Sequence, residues 1–210
     1  MLTTVTTLLI ASSLYGTTVA DDTVHWNIKD IPPTYQEIVD EAVFNCPNRK
    51  WQDVDEKLLW KLVEVEKKHN VPPRMRGMLL AAACMESGYN PLAKGDWRKV
   101  KRKRKKIAKA IGILQMWPWY ERAYKIDRTK PVESADAWLR HIIKQIPSVK
   151  KQCKVRTVYR VWSAAWAKGI RYPKKGGRCY DRVKHLRLMK KWRRNITRDR
   201  KVARNNGDGC

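Results

Sequence analysis

A lone carboxylate closing an apolar run is the residue whose setting best suits chemistry. Met78 to Met85 carries no charge, Glu86 follows directly, and Ser87, Gly88, Tyr89 and Asn90-Pro91 come next. Leu, Ala and Met favour helix, and Met75, Leu79, Ala82 and Glu86 fall on one helical stripe. Gly88 and Asn90-Pro91 then stop the helix just past the glutamate. A carboxyl at the end of a buried helix is half desolvated, which favours its protonated form and makes it a candidate general acid near neutral pH. The alternative for the same side chain is a cap or salt bridge at a helix end. Other chemistries find less support. The four histidines (His25, His69, His141, His185) are dispersed, and the chain has no His-Glu-x-x-His pattern, no Gly-x-Ser-x-Gly elbow and no phosphate-binding glycine loop. No metal and no cofactor is expected.

A second segment, Ala110-Ile-Gly112-Ile-Leu-Gln115-Met116, follows after a loop. With Glu86-Ser87-Gly88 it resembles the lysozyme-like superfamily, and most closely the soluble lytic transglycosylase domain, whose signature is a Glu-Ser pair followed by Gly-x-x-Gln. The resemblance runs from Val54 to Leu188. It implies Glu86 as the single catalytic acid/base and Ser87 as a residue that positions the reacting sugar. It further implies Gly112 as the point where backbone approaches the glycan, with Gln115 facing the cleft. The family's third motif, Ala-Tyr-Asn-Ala-Gly, corresponds here to Ala165-Trp166-Ala167-Lys168-Gly169, followed by Arg171-Tyr172. Trp166 replaces the tyrosine and Ala167 the asparagine, so only an indole N–H is left to donate. Trp166 and Tyr172 are carried over as substrate-binding positions.

Asp96 is the only acidic residue between Glu86 and Glu121. Glycosidases that hydrolyse usually pair an acid with a second carboxylate, whereas a lytic transglycosylase needs one. Asp96 reads better as a turn residue after Gly95. Trp97, Trp117, Trp119, Trp162 and Trp166 gather around these motifs. Indole faces pack on sugar rings and also line cores, and spacing does not separate the two.

The elements that must position these residues read as helices, in a mainly α, lysozyme-like multi-helix domain with a long basic loop. Thr34 to Phe44 is amphipathic; Asp53-Val-Asp-Glu56 has capping-box form ahead of Leu58, Leu59, Leu62 and Val63. Glu64 and Lys68 form an i,i+4 pair of favourable order. Pro72-Pro73 opens the central helix. Further helices are read from Pro118, over Pro131 to Ile146, over Val155 to Lys168 and over Cys179 to Trp192. No alternating strand pattern stands out. Trp97 to Lys106 holds eight basic residues in ten and reads as an exposed loop bordering the cleft, one that captures anionic material without joining the bond cleavage. Along the chain, 1–20 reads as a signal peptide, 21–52 as an N-terminal extension, 53–194 as the lysozyme-like domain and 195–210 as a basic, frayed tail.

Composition sets the compartment and the partner. The apolar, Thr-rich leader and the five cysteines (Cys46, Cys84, Cys153, Cys179, Cys210) suit a secreted or periplasmic destination. Cys153–Cys179 is the candidate bridge, and Cys84 reads as a small core residue. A formal charge of +26 implies an anionic partner and says nothing about fold. Peptidoglycan glycan strands, anionic cell-wall polymers and, non-specifically, nucleic acid all qualify, for a chain expected to act as a monomer. Two functions follow. One is cleavage of the MurNAc–GlcNAc linkage; the other is catalytically silent, cationic binding of wall polymer or nucleic acid.

Overall fold

The computed structural model describes residues 31–49, 54–100, 103–170 and 184–207. Among them are seven α-helices and one two-stranded antiparallel sheet, a mainly helical architecture. The helices are α1 (Tyr35–Phe44), α2 (Glu56–Lys68), α3 (Met78–Ser87), α4 (Pro118–Tyr124), α5 (Pro131–Cys153), α6 (Val158–Ile170) and α7 (Lys184–Gly207). The strands β1 (Lys94–Val100) and β2 (Lys103–Ile111) lie between α3 and α4. None of the described helices is long and apolar enough to cross a membrane. Residues 1–20, read as a signal peptide, and Cys179 and Tyr172 fall outside the described residues.

Helix α3 is the centre. Every side chain from Met78 to Cys84 is buried, as an all-apolar helix requires, and α1, α2 and α7 all pack on it. It does not begin at Pro72-Pro73. Those prolines lead into a 3-10 turn, Pro73–Met75, and the helix starts only after Gly77. Gly77 has φ +83°, and a Cβ there would lie 2.6 Å from Ile38 Cγ2, so the position demands glycine twice over. The first N–H groups of a helix need acceptors, and a carboxylate from α2 supplies them. Glu66 takes the Gly77 N–H at 2.8 Å and the Leu79 N–H at 2.7 Å.

Glu66 is fully buried, and burial pushes its pKa up to about 7 against the opposing pull of those two N–H groups, Tyr35 and Arg193. A carboxyl raised in the folded state holds its proton more tightly there than in the unfolded chain. Its contribution to stability is therefore full below the unfolded value, near pH 4.5, and is lost as pH rises through about 7. Unfolding free energy measured between pH 5 and 8 is expected to slope downward more steeply in wild type than in Glu66→Gln. Equal slopes would contradict this assignment.

Helix α1 starts where Thr34 predicts: Thr34 Oγ1 accepts the Glu37 N–H at 3.2 Å while Glu37 returns a bond to the Thr34 N–H at 2.7 Å. Although the sequence places it in an extension, α1 contributes Ile38, Val39 and Ala42 to the common core. Asp55 is the N-cap of α2 but makes no side-chain cap bond. Glu64 pairs with Lys67 at 2.7 Å rather than with Lys68, which reaches Asp136 on α5 at 2.9 Å. Helix α5 runs through Pro147 to Cys153 instead of stopping at Ile146, with Val149 buried beyond the proline.

Two further expectations from sequence are overturned. The basic segment is a hairpin, paired from Lys94↔Ile111 to Val100↔Lys103. Residues 195–207 are no frayed end either. Helix α7 continues to Gly207 because Trp192 and Ile196 carry its apolar stripe onward. Asn195 also donates to Glu41 at 3.0 Å, and Arg200 forks onto both oxygens of Glu37 at 2.6 Å. Cys84 lies in the core, as read from sequence, and is also in a disulfide with Cys46 across 38 residues of sequence. Cys153 is disulfide-bonded too, while its expected partner Cys179 lies beyond what the structure describes.

Candidate functional site

Glu86 stands one residue before the last turn of α3 ends, where burial gives way to surface. Its side chain is 27% exposed. The helix closes at Gly88 in the left-handed region, φ +61°, and a Cβ there would lie 2.2 Å from the Asn48 carbonyl oxygen. Asn48 also donates from Nδ2 to the Met85 carbonyl at 2.7 Å. The Cys46–Cys84 bridge and Asn48 thus clamp the turn that carries Glu86.

The two motifs separated in sequence meet here. Ser87 Oγ lies 2.8 Å from the Ile113 carbonyl, inside the Gly-Ile-Leu-Gln segment, and 3.1 Å from the Ala83 carbonyl of its own helix. Gly112 has φ +80°, and a Cβ would come within 2.0 Å of the Arg128 carbonyl oxygen. Protein backbone therefore already requires glycine at this point. Gln115, itself at φ +46°, donates from Nε2 to the Ala93 and Gly112 carbonyls, both at 3.0 Å. A Cβ at Gly95 on β1 would lie 2.3 Å from Gln115 Oε1, so the Gln115 side chain would have to shift to admit it. Gln115 is a staple for the base of the hairpin. Arg128, buried, finishes the arrangement by donating to the Lys109 and Met116 carbonyls at 2.8 and 2.7 Å.

Residues that sequence reasoning left unassigned complete the surroundings of Glu86. His185 Nε2 is 2.7 Å from Glu86 Oε1, and Lys184 Nζ is 3.4 Å from the same oxygen. The His185 ring is buried, its Nδ1 finds no hydrogen-bond partner among the described residues, and its Nε2 carries the proton shared with Glu86. Among the described residues, Glu86 Oε2 takes no bond. Burial pushes the Glu86 pKa up, but the hydrogen bond and charge of His185, with Lys184, outweigh it. The carboxyl consequently sits below its ordinary value, and the raised value expected from its place on the helix is corrected.

Trp166 is fully buried and cannot touch a substrate, which corrects its reading as a binding residue. Its ring stacks on His185 at 5.4 Å between centroids and meets Trp138 edge-on. It supports the histidine that holds Glu86. Asp96 sits on β1, not in a turn, and its Oδ2 accepts the Trp117 indole N–H at 3.0 Å. Trp97 and Trp117 are partly open to solvent, whereas Trp162 is buried and lies in the core. Arg98, Lys99 and Lys106 of the hairpin are exposed, and among the strand residues whose side chains are described only Ala110, at the base, is buried. No cluster of His, Cys, Asp or Glu among the described residues could hold a metal ion.

Comparison of the chain with protein-family models, with curated proteins and with solved structures finds no match in any of the three. The class that the coordinates themselves define is a mainly helical domain with one basic hairpin.

Proposed function

We propose that this chain is a peptidoglycan lytic transglycosylase, cleaving the MurNAc–GlcNAc β-1,4 linkage with Glu86 as its one acid/base. The lysozyme-like character of the helical fold belongs to the same reading. The observation that carries it is the half-buried Glu86, held by His185 through one oxygen and with the other unbonded among the described residues, with Ser87 tied to the Gly112–Gln115 segment.

The pKa of Glu86 bears directly on how such an acid would work. At rest the carboxyl is held ionised by His185 and Lys184. A sugar ring laid over the 27% of the side chain still exposed removes its remaining water. That strengthens burial, already the largest influence on the group, and draws a proton onto Oε2. His185 keeps Oε1 engaged, so the proton is presented from Oε2. Protonation of the bridging oxygen breaks the C1–O bond. The Glu86 carboxylate then accepts the proton of the MurNAc 6-hydroxyl as that oxygen closes on C1, giving a 1,6-anhydro ring and regenerating the acid. Asp96 is engaged by Trp117, which favours the single-carboxylate route over hydrolysis.

Mass spectrometry of fragments released from purified sacculi tests the assignment. Fragments ending in 1,6-anhydro-MurNAc are expected. Reducing-end MurNAc as the main product would implicate a second carboxylate, with Asp96→Asn the next variant. The second reading, a catalytically silent cationic binder of wall polymer or nucleic acid, draws on the ionised resting state of Glu86 between two basic side chains. It would be favoured by sacculi that are bound but release no fragments.

A further inference from the structure

The surface of α7 beyond His185 carries charge that neither reading of Glu86 uses. Arg193, Thr197 and Lys201 recur every four residues, with Arg194 and Arg198 beside them, so all five share one side of the helix. They line a hollow of ≈ 380 Å³. A second hollow of ≈ 280 Å³ adjoins it, sharing Arg193 and Thr197 and adding Arg74, Arg200 and the Ile31–Pro33 segment. No carboxylate lines either one.

Among the described residues, most of these cations lack a protein counter-charge. Arg200 is committed to Glu37 and to the carbonyls of Ile31 and Pro32. Arg198 meets Asp199 only through an exposed contact at 3.2 Å, the weak kind. Among the described residues, Arg74, Arg194 and Lys201 have no acidic partner. Arg193, where the hollows join, reaches only the Pro73 carbonyl, at 3.4 Å, and its Nε is buried with no acceptor among the described residues. Burial and the nearby Arg74 both work against its charge, and Tyr159 and Glu66 offset them only in part. Glu66 gives its oxygens to the Gly77 and Leu79 N–H groups instead.

We propose that Arg193, Arg194, Arg198 and Lys201 of α7, with Arg74, form a binding site for a phosphoryl or pyrophosphoryl group. An anion there would offset the repulsion between Arg74 and Arg193 and engage the exposed charges of Arg194 and Lys201. Phosphate suits the site better than carboxylate. Its tetrahedral oxygens can engage several guanidinium forks at once, whereas a carboxylate offers two oxygens in one plane. Arg193 follows His185 by eight residues and Lys201 by sixteen, which at the rise of a helix puts the site roughly 12–24 Å along α7 from Glu86. It is a separate site, and it stands whether or not Glu86 cleaves glycan.

The test is isothermal titration of the full chain with inorganic pyrophosphate at a fixed ionic strength of about 0.15 M, where general surface attraction is screened beyond about 8 Å. Saturable binding is expected. Each charge-assisted hydrogen bond removed weakens an affinity by roughly tenfold or more, so Arg194→Gln/Lys201→Gln should raise Kd at least that far. Both residues are exposed and without a described partner, so this variant keeps the fold. Lys150→Gln/Lys151→Gln on α5, exposed residues that line neither hollow, should bind as wild type does. A glycerol phosphate polymer and vesicles containing phosphatidylglycerol, run in parallel, identify the source of the phosphate. The probe whose binding depends on Arg194 and Lys201 is the physiological type. No saturable binding, binding unchanged in the double variant, or equal competition by succinate would each overturn the proposal.

Discussion

Glu86→Gln is expected to lower the release of soluble fragments from sacculi by at least ~100-fold, the usual scale for losing a general acid. The amide keeps the shape of the side chain and can still accept from His185 Nε2, now at 2.7 Å from Oε1, but it has no acid proton to deliver. Far-ultraviolet circular dichroism should hardly change, because α3 is held by its apolar residues and by Glu66, not by Glu86. The partner variant His185→Gln separates positioning from proton supply. Its amide can still donate to Oε1, but the charge that helps depress the Glu86 pKa is gone. A depressed carboxyl pKa places the loss of the protonated acid at low pH. Without the His185 charge the opposition to burial is weaker and that loss moves to higher pH, so the alkaline limb of the activity profile should shift upward in His185→Gln. An active Glu86→Gln enzyme would sink the acid assignment. An unshifted limb in His185→Gln would leave Glu86 without the coupling described for it.

Local signals carried much of the helical frame into the sequence. Thr34 and Glu37 announce the start of α1, Gly88 the end of α3 and Pro118 the start of α4, because each of these effects acts within one turn of chain. Glu86-Ser87 and Gly112–Gln115 were also legible as motifs, and Ser87 does meet the second of them. What the motifs could not show is that Gly112 and Gln115 have partners within the protein itself: a carbonyl of Arg128 and the base of the hairpin. The hairpin escaped notice because its strands lack apolar alternation. Lys99 faces Lys106 directly, a like-charge pair that propensity reasoning counts against a sheet.

Long-range partners were the larger gap. His185 lies 99 residues from Glu86, and nothing in its neighbourhood distinguishes it from a histidine on the apolar side of a helix. Once α7 is seen to pack on α3, Trp166 follows: a buried indole stacked behind the histidine, where the resemblance alone had put it against substrate. The same packing explains the end of the chain. Charge dominates the composition after Asn195, but the position of Ile196 and the grip of Arg200 on Glu37 decide that the helix goes on.

The Cys46–Cys84 disulfide is expected to dominate the stability of this domain. It closes a loop of 38 residues, which in the chain-entropy account is worth about 4 kcal/mol, through the freedom it removes from the unfolded chain. Alanine at both positions is the clean variant, since serine would place a hydroxyl at the fully buried Cys84 site. For a chain of this size a loss of that order lowers Tm by roughly 8–16 °C. The cost should also be local. The bridge joins the Cys46 segment to α3 two residues before Glu86, and Asn48 beyond it holds the Met85 carbonyl. Amide hydrogen exchange in Cys46→Ala/Cys84→Ala should therefore quicken at Ser87, Gly88 and Tyr89 more than in α5, which the loop does not include. Melting within about 2 °C of wild type, measured by differential scanning calorimetry, would show that α1 and α3 hold together by packing alone. Slower exchange at Gly88 than in α5 would equally refute the bridge as the clamp on the Glu86 turn.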